Sequence, residues 1–142
     1  MFRPAPLCGR DQGDAMRSSI AAASVIVILA GTASAELPAA NPAAVNQALA
    51  SGKPTLIDFG LRTCAVCKKM APYLESVASD YRGRANVLFI DVRTEQATAQ
   101  RFRVQMLPTQ IFINPQGKEV QRHTGYMDKE GIVKGLQSAG LK

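Results

Sequence analysis

The sequence predicts an α/β domain with a mixed four-stranded central sheet and helices on both faces, and three observations carry that reading. Short apolar runs rich in β-branched residues alternate with segments whose apolar residues recur at helical spacing. The order of these segments is αβαβαββα. The last two β runs flank a four-residue turn, so they form an antiparallel hairpin, whereas the first two are separated by a helix and pair in parallel through a right-handed crossover.

Each element follows from local chemistry. Asn41-Pro42 supplies an N-cap and a proline at the first helical position, opening a helix that ends near Ser51-Gly52 with Val45, Ala48 and Leu49 as its apolar positions. Residues 54–59 (PTLIDF) form a short apolar run bounded by turn residues, a buried strand. Val66, Met70, Tyr73, Leu74, Val77, Ala78 and Tyr81 repeat at helical spacing over residues 65–81, with Pro72 expected to kink that helix. Residues 86–92 (NVLFIDV) are a second β-rich run, and residues 94–102 a short polar helix. Residues 110–113 (QIFI) and 119–123 (EVQRH) flank Asn114-Pro115-Gln116-Gly117, a turn with glycine where a positive φ is needed. A last helix spans residues 128 to about 139, with Asp128 as its N-cap.

Composition narrows the function classes. With 142 residues, 46% hydrophobic and 20% charged, the chain has an ordinary globular make-up, which excludes a disordered tail, a collagen-like chain and a multi-domain machine. The net charge of +6 is spread along the chain, with no block of like charge longer than Lys68-Lys69, so nucleic acid is not an expected partner. Three cysteines and one histidine are too few for a disulfide-dense scaffold or for a four-ligand zinc site within one chain. No metal and no bound cofactor are expected.

The N-terminal segment reads as an address. From Met16 the chain carries Arg17, an apolar run over residues 20–31 that is short for a bilayer span, and Ala33-Ser34-Ala35, the small residues a signal peptidase accepts. Residues 16–35 are expected to be a cleaved secretory signal, with an uncleaved inner-membrane anchor or a buried core helix as the alternatives. Residues 1–15 resemble no part of an export signal, so translation is expected to start at Met16, removing Cys8 and leaving Cys64 and Cys67 as the only thiols. Residues 36–142 are then one domain, periplasmic or secreted.

Cys64-Ala65-Val66-Cys67 falls where a strand hands over to a helix. Two cysteines at that spacing bring their sulfurs within disulfide reach, and the helix N-terminus favours a thiolate on the first. Cys64 is therefore expected to be the exposed nucleophile and Cys67 the more buried resolving thiol, with Arg62 and Lys68 close enough in sequence to lower the Cys64 pKa further. A structural disulfide is the plainer alternative, but so short a loop restrains the unfolded chain little.

With these features in place, residues 41–141 resemble a thioredoxin. The likeness rests on T-L-I-D-F before the cysteines, C-A-V-C-K at them, Leu107-Pro108-Thr109 downstream, and N-P-Q-G-K-E followed by T-G-Y. The stretch from Leu107 resembles in particular the periplasmic thioredoxin-like domain of membrane electron conductors that carry reductant out of the cytosol. The resemblance implies a minimal thioredoxin-like fold and a cis Pro108 facing the cysteine pair. It also implies a Leu107 backbone that pairs with an extended substrate segment, which Ala65 and Val66 would flank. Asp58 stands in the place of the family's buried acid, which helps deprotonate the second cysteine. The plainer readings are a trans proline opening a strand and an edge-strand aspartate facing water.

The departures are specific. Gly60 and Thr63 stand where thioredoxins have tryptophans, Ala65-Val66 replaces Gly-Pro, and Val87 stands in place of the lysine near the buried acid. The proline-rich residues 36–44 give no counterpart to the first family strand. The leading expectation is an exported thiol:disulfide oxidoreductase that reduces protein disulfides, acts as a monomer and is recharged by a membrane electron donor. An oxidase or isomerase of secreted proteins, or a binding module with an inert disulfide, are the alternatives.

Overall fold

The computed structural model describes residues 36–142. The expected signal, the N-terminal extension and Cys8 lie outside the described residues. Eight elements follow in the order read from the sequence: α1 (Pro42–Ala50), β1 (Thr55–Gly60), α2 (Ala65–Asp80), β2 (Asn86–Asp91), α3 (Gln96–Arg101), β3 (Thr109–Ile113), β4 (Glu119–Thr124) and α4 (Lys129–Ser138). The sheet order is β2-β1-β3-β4, with β1 parallel to β2 and antiparallel to β3, and β3 antiparallel to β4.

Strand β1 is central and covered on both faces, which is why its whole length is buried and its sequence is almost continuously apolar. Its alternation divides the core. Leu56 points to the face covered by α2 and α4, where it packs with Met70, Leu74, Phe112, Ile132 and Leu136. Ile57 and Phe59 point to the other face, with Val45 of α1, Ala99 of α3, Ile90 and Ile111. Asp58 and Gly60 share the Leu56 face, so the acid and the glycine are directed at α2 by register alone.

The caps expected from the sequence are formed. Asn41 Oδ1 accepts from the Ala44 N–H at 2.9 Å and Asp128 Oδ1 from the Gly131 N–H at 2.8 Å. Gly117 closes the β3–β4 turn at φ 78°, with its N–H donating to the Asn114 carbonyl. Helix α2 runs from Ala65 to Asp80 as one α-helix with Pro72 inside it.

Three details depart from the sequence reading. Helix α3 begins at Gln96 and not at residue 94, because Asp91 accepts from the Arg93 N–H through its side chain and from the Thr94 N–H through its carbonyl. Those two residues are therefore held in a turn ahead of the helix. The hairpin carries a bulge: Phe112 pairs with Gln121 but Ile113 with Glu119, which leaves Val120 unpaired and exposed. The missing first strand survives as one parallel bridge between Ala39 and Phe89, with the Ala40 N–H donating to the Phe89 carbonyl at 2.8 Å. Pro38 and Pro42 offer no N–H on either side, so the pairing extends no further.

Helix α4 lies against β3 at Gly135, where an added Cβ would sit 2.3 Å from the ring of Phe112, itself fully buried. Alanine favours a helix by about 1 kcal/mol over glycine, but forcing a methyl into a packed core costs about 1–3 kcal/mol. Gly135→Ala is therefore expected to lower the urea midpoint, against the sign that helix propensity alone would give. An unchanged or raised midpoint would show that the Phe112 ring moves aside freely.

Candidate active site

The site forms at the end of β1. Gly60 leads into a tight loop in which the Cys64 N–H donates to the Leu61 carbonyl at 3.0 Å, and Cys64, with extended backbone, is the N-cap of α2. Its Sγ takes the position a serine or aspartate oxygen would occupy and accepts from the Cys67 N–H at 3.3 Å. One helical turn on, Cys67 points inward and is 5% exposed, whereas Cys64 is half-buried; both are free thiols. Gly60 admits the inner sulfur: a Cβ there would lie 3.0 Å from Cys67 Sγ and 3.1 Å from the Phe89 ring.

The two thiols are electrostatically unlike. The Cys64 pKa is lowered, first by the Cys67 thiol that donates to its sulfur and then by the backbone N–H groups of Cys67 and Val66, against desolvation and the charge of Asp58. Cys67 is pushed up to about 12, first by burial, then by its hydrogen bond to Cys64 and the negative charges of Cys64 and Asp58. The expected help from Arg62 does not materialise. That guanidinium bonds Glu36 at 2.8 Å and the Leu37 carbonyl, and stacks 4.2 Å from the centroid of the Phe89 ring. It ties the N-terminal segment to the sheet.

Asp58 is 1% exposed, so the edge-strand reading is overturned; the side chain points inward because β1 is a central strand. Burial raises its pKa to about 6, moderated by a hydrogen bond from Gln110 Nε2 at 2.9 Å. Gln110 is the residue that sequence reasoning passed over. Its signal was a lone amide in the apolar run QIFI, at a register position directly opposite Asp58. Val87, in the place of the family's lysine, is instead the register partner of Leu56 and packs on the core.

The Leu107–Pro108 peptide bond is cis, which overturns the trans reading, and Pro108 is buried. Thr109 pairs with Phe59, so the next antiparallel step sets Pro108 across from Gly60, at the sheet end that carries the cysteines. Leu107 packs on the α1 and α3 face. Ala65 and Val66 are exposed on the first turn of α2, and Met106 and Tyr126 are the other large exposed apolar side chains at this end of the domain. Among the described residues, no group of three or more His, Cys, Asp or Glu side chains is placed to hold a metal ion.

An α/β sheet that presents an unequal pair of thiols at a helix start, beside a buried acid and a cis proline, defines a dithiol oxidoreductase domain. Comparison with known proteins makes this specific. The thioredoxin family model matches residues 37–138. Thioredoxin from Staphylococcus saprophyticus is 38% identical over 82 residues, covering 58% of this chain and 78% of that protein, and thioredoxin from Staphylococcus aureus strain Mu50 is 37% identical over 81 residues, covering 57% and 77%. Among solved structures, chloroplastic thioredoxin z superposes with a TM-score of 0.64 at 25% identity, over 74% of this chain and 95% of that one. A mutant thioredoxin from Halobacterium salinarum NRC-1 shares the fold, with a TM-score of 0.65 at 24% identity over 75% and 91%. The chain belongs to the thioredoxin family, and its activity is that of a thiol:disulfide oxidoreductase acting on disulfide-containing proteins.

The raised pKa of Asp58 has a measurable cost. The group binds its proton more tightly folded than unfolded, so its contribution is fully favourable below pH 3.8 and is lost as pH rises through about 6. At about 1.4 kcal/mol per pH unit, the penalty above pH 7 is about 3 kcal/mol. Asp58→Asn is therefore expected to be more stable than wild type to urea at pH 7.5, by about that amount. The advantage should fade as pH falls from about 6 toward 3.8. A difference that does not vary with pH would contradict the assignment.

Proposed function

We propose that this chain is an exported reductant: it reduces disulfides in periplasmic proteins through Cys64 and Cys67 and is itself returned to the dithiol by a membrane electron donor. The Cys64 thiolate attacks one sulfur of a substrate disulfide, and the other substrate sulfur leaves as a thiolate that takes a proton from water. Cys67 then yields its proton to the Asp58 carboxylate and attacks Cys64 Sγ. The second substrate thiol departs, the Cys64–Cys67 disulfide closes, and two electrons have passed to the substrate. Leu107 offers backbone to an extended substrate segment beside Pro108, and the exposed Ala65 and Val66 form the rim against which that segment lies.

The observation that carries the direction is the field at Cys64. A strongly oxidising domain owes its direction to a reduced form stabilised by a much-favoured thiolate. Here the buried Asp58 carboxylate opposes the Cys64 charge, and Arg62 is engaged with Glu36. The thiolate is supported only by hydrogen bonds from the first turn of α2, so the reduced form is not strongly favoured and electrons move on to the substrate.

Export is supported by Arg17, the apolar run over residues 20–31 and the Ala33-Ser34-Ala35 signature. The family match begins at residue 37, so cleavage after Ala35 spares the whole domain. Among the described residues no helix is long and apolar enough to cross a membrane.

Recovery of the exported species tests both halves of the proposal. Its mass is expected to correspond to a chain beginning at Glu36, and its cysteine pair, equilibrated with glutathione, to have a potential near the roughly −270 mV of thioredoxin. A potential near the roughly −120 mV of the strong periplasmic oxidant would reverse the direction. A mass that retains residues 16–35 would make the protein an anchored one.

A further inference from the structure

Gln110 is fully buried, on a central strand whose other residues are apolar or small. Its Nε2 donates to Asp58 Oδ1 at 2.9 Å and lies 3.8 Å from Met70 Sδ, whereas Oε1 is the one buried side-chain polar atom among the described residues with no hydrogen-bond partner. A buried carbonyl without a donor is costly, and an apolar side chain at this register position would avoid that cost. The amide brings something that neither an apolar residue nor a lysine has: a donor and an acceptor exchanged by a half-turn about one terminal bond.

That property matches what Asp58 has to do. As a carboxylate the acid can only accept, and Nε2 faces it with a hydrogen bond. As a carboxylic acid it gains an O–H that needs an acceptor, and Oε1 is the free acceptor on the same side chain. We propose that Gln110 is the positioning residue that holds Asp58 through its proton cycle. It donates Nε2–H to the carboxylate and, after rotation of its amide, accepts the acid O–H at Oε1.

The inference rests on Asp58 acting as the proton acceptor for Cys67. In that step the Cys67 S–H bond breaks and the Asp58 O–H bond forms, with no change in the total charge of the pair. The amide turns over with the proton, and it turns back when Asp58 releases the proton to water. The other titratable groups facing Asp58 are Cys67 and Cys64, from α2, while its strand neighbours Phe89 and Gln110 carry no charge. Among the described residues, Gln110 is the side chain that hydrogen-bonds Asp58, and it tunes the acid without adding a charge to the site.

The test is an NMR titration of the reduced protein, following the Asp58 side-chain carboxyl carbon and the Gln110 side-chain amide together. In wild type both are expected to move with one midpoint. In Gln110→Leu and in the more nearly isosteric Gln110→Met, the Asp58 midpoint is expected to rise by about one pH unit, because donation to the anion outweighs acceptance from the neutral acid. The acid limb of the disulfide-reduction rate should move upward by the same amount, a displacement that a packing defect alone would not produce. An unchanged Asp58 midpoint in both variants, or a Gln110 amide that stays still through the Asp58 titration, would overturn the proposal; the second reading needs no variant to fold. Asp58→Asn separates the two layers. Loss of the acid limb there upholds the proton-acceptor role, whereas an unaltered limb with coupled midpoints would sink that role and leave the Gln110 pairing standing.

Discussion

The hydrogen bond from the Cys67 N–H to Cys64 Sγ joins the backbone of α2 to its chemistry. A sulfur serves as the helix cap, so the first turn of α2 is satisfied by the atom that reacts, and the partial positive charge of the helix start falls on the nucleophile. Everything around this contact serves to hold it. Strand β1 delivers the chain to the end of the sheet, the Leu61 carbonyl closes the loop on the Cys64 N–H, and Gly60 leaves the space into which Cys67 turns. Because α2 is packed through Met70, Leu74 and Val77, the cap cannot drift without cost to the core.

From that contact follows a division of charge. Three acidic groups, Cys64, Cys67 and Asp58, share one end of the domain, and among the described residues no cation contributes to the pKa of any of them, so they do not all ionise together. Burial and hydrogen bonding set them apart: the outer thiol is favoured as thiolate, the inner thiol keeps its proton, and the buried carboxyl is raised to about 6. An exposed attacking sulfur and a protonated resolver beside a base are what two-step exchange requires. The asymmetry arises from where α2 starts relative to β1 and needs no further device.

Much of this was legible in the sequence because it is encoded by short-range rules. The N-caps Asn41 and Asp128, the Asn114–Gly117 turn and the helical spacing from Val66 to Val77 each fix an element on local grounds, and the two-residue gap between the cysteines fixes their relation. What escaped depends on distant partners. Asp91 captures Arg93 and Thr94 in a turn and delays α3, and the bulge at Val120 arises only once β3 and β4 are paired. Arg62 stands next to the cysteines in sequence, which suggested a role at Cys64, but the nearest carboxylate in space is Glu36, 26 residues away. Gln110 illustrates the same limit most clearly. Its identity is ordinary until the register of β1 and β3 sets it opposite Asp58, and register is a property of the sheet.

The account rests on the inequality of the two thiols, and the most direct measurement of it is the pH dependence of alkylation in the reduced protein, with each modified cysteine identified by peptide mass. Cys64 should react first, with a midpoint below the roughly 8.5 of a free cysteine, while Cys67 stays unmodified throughout that range. Equal rates at the two positions, or modification of Cys67 ahead of Cys64, would contradict the account at its foundation.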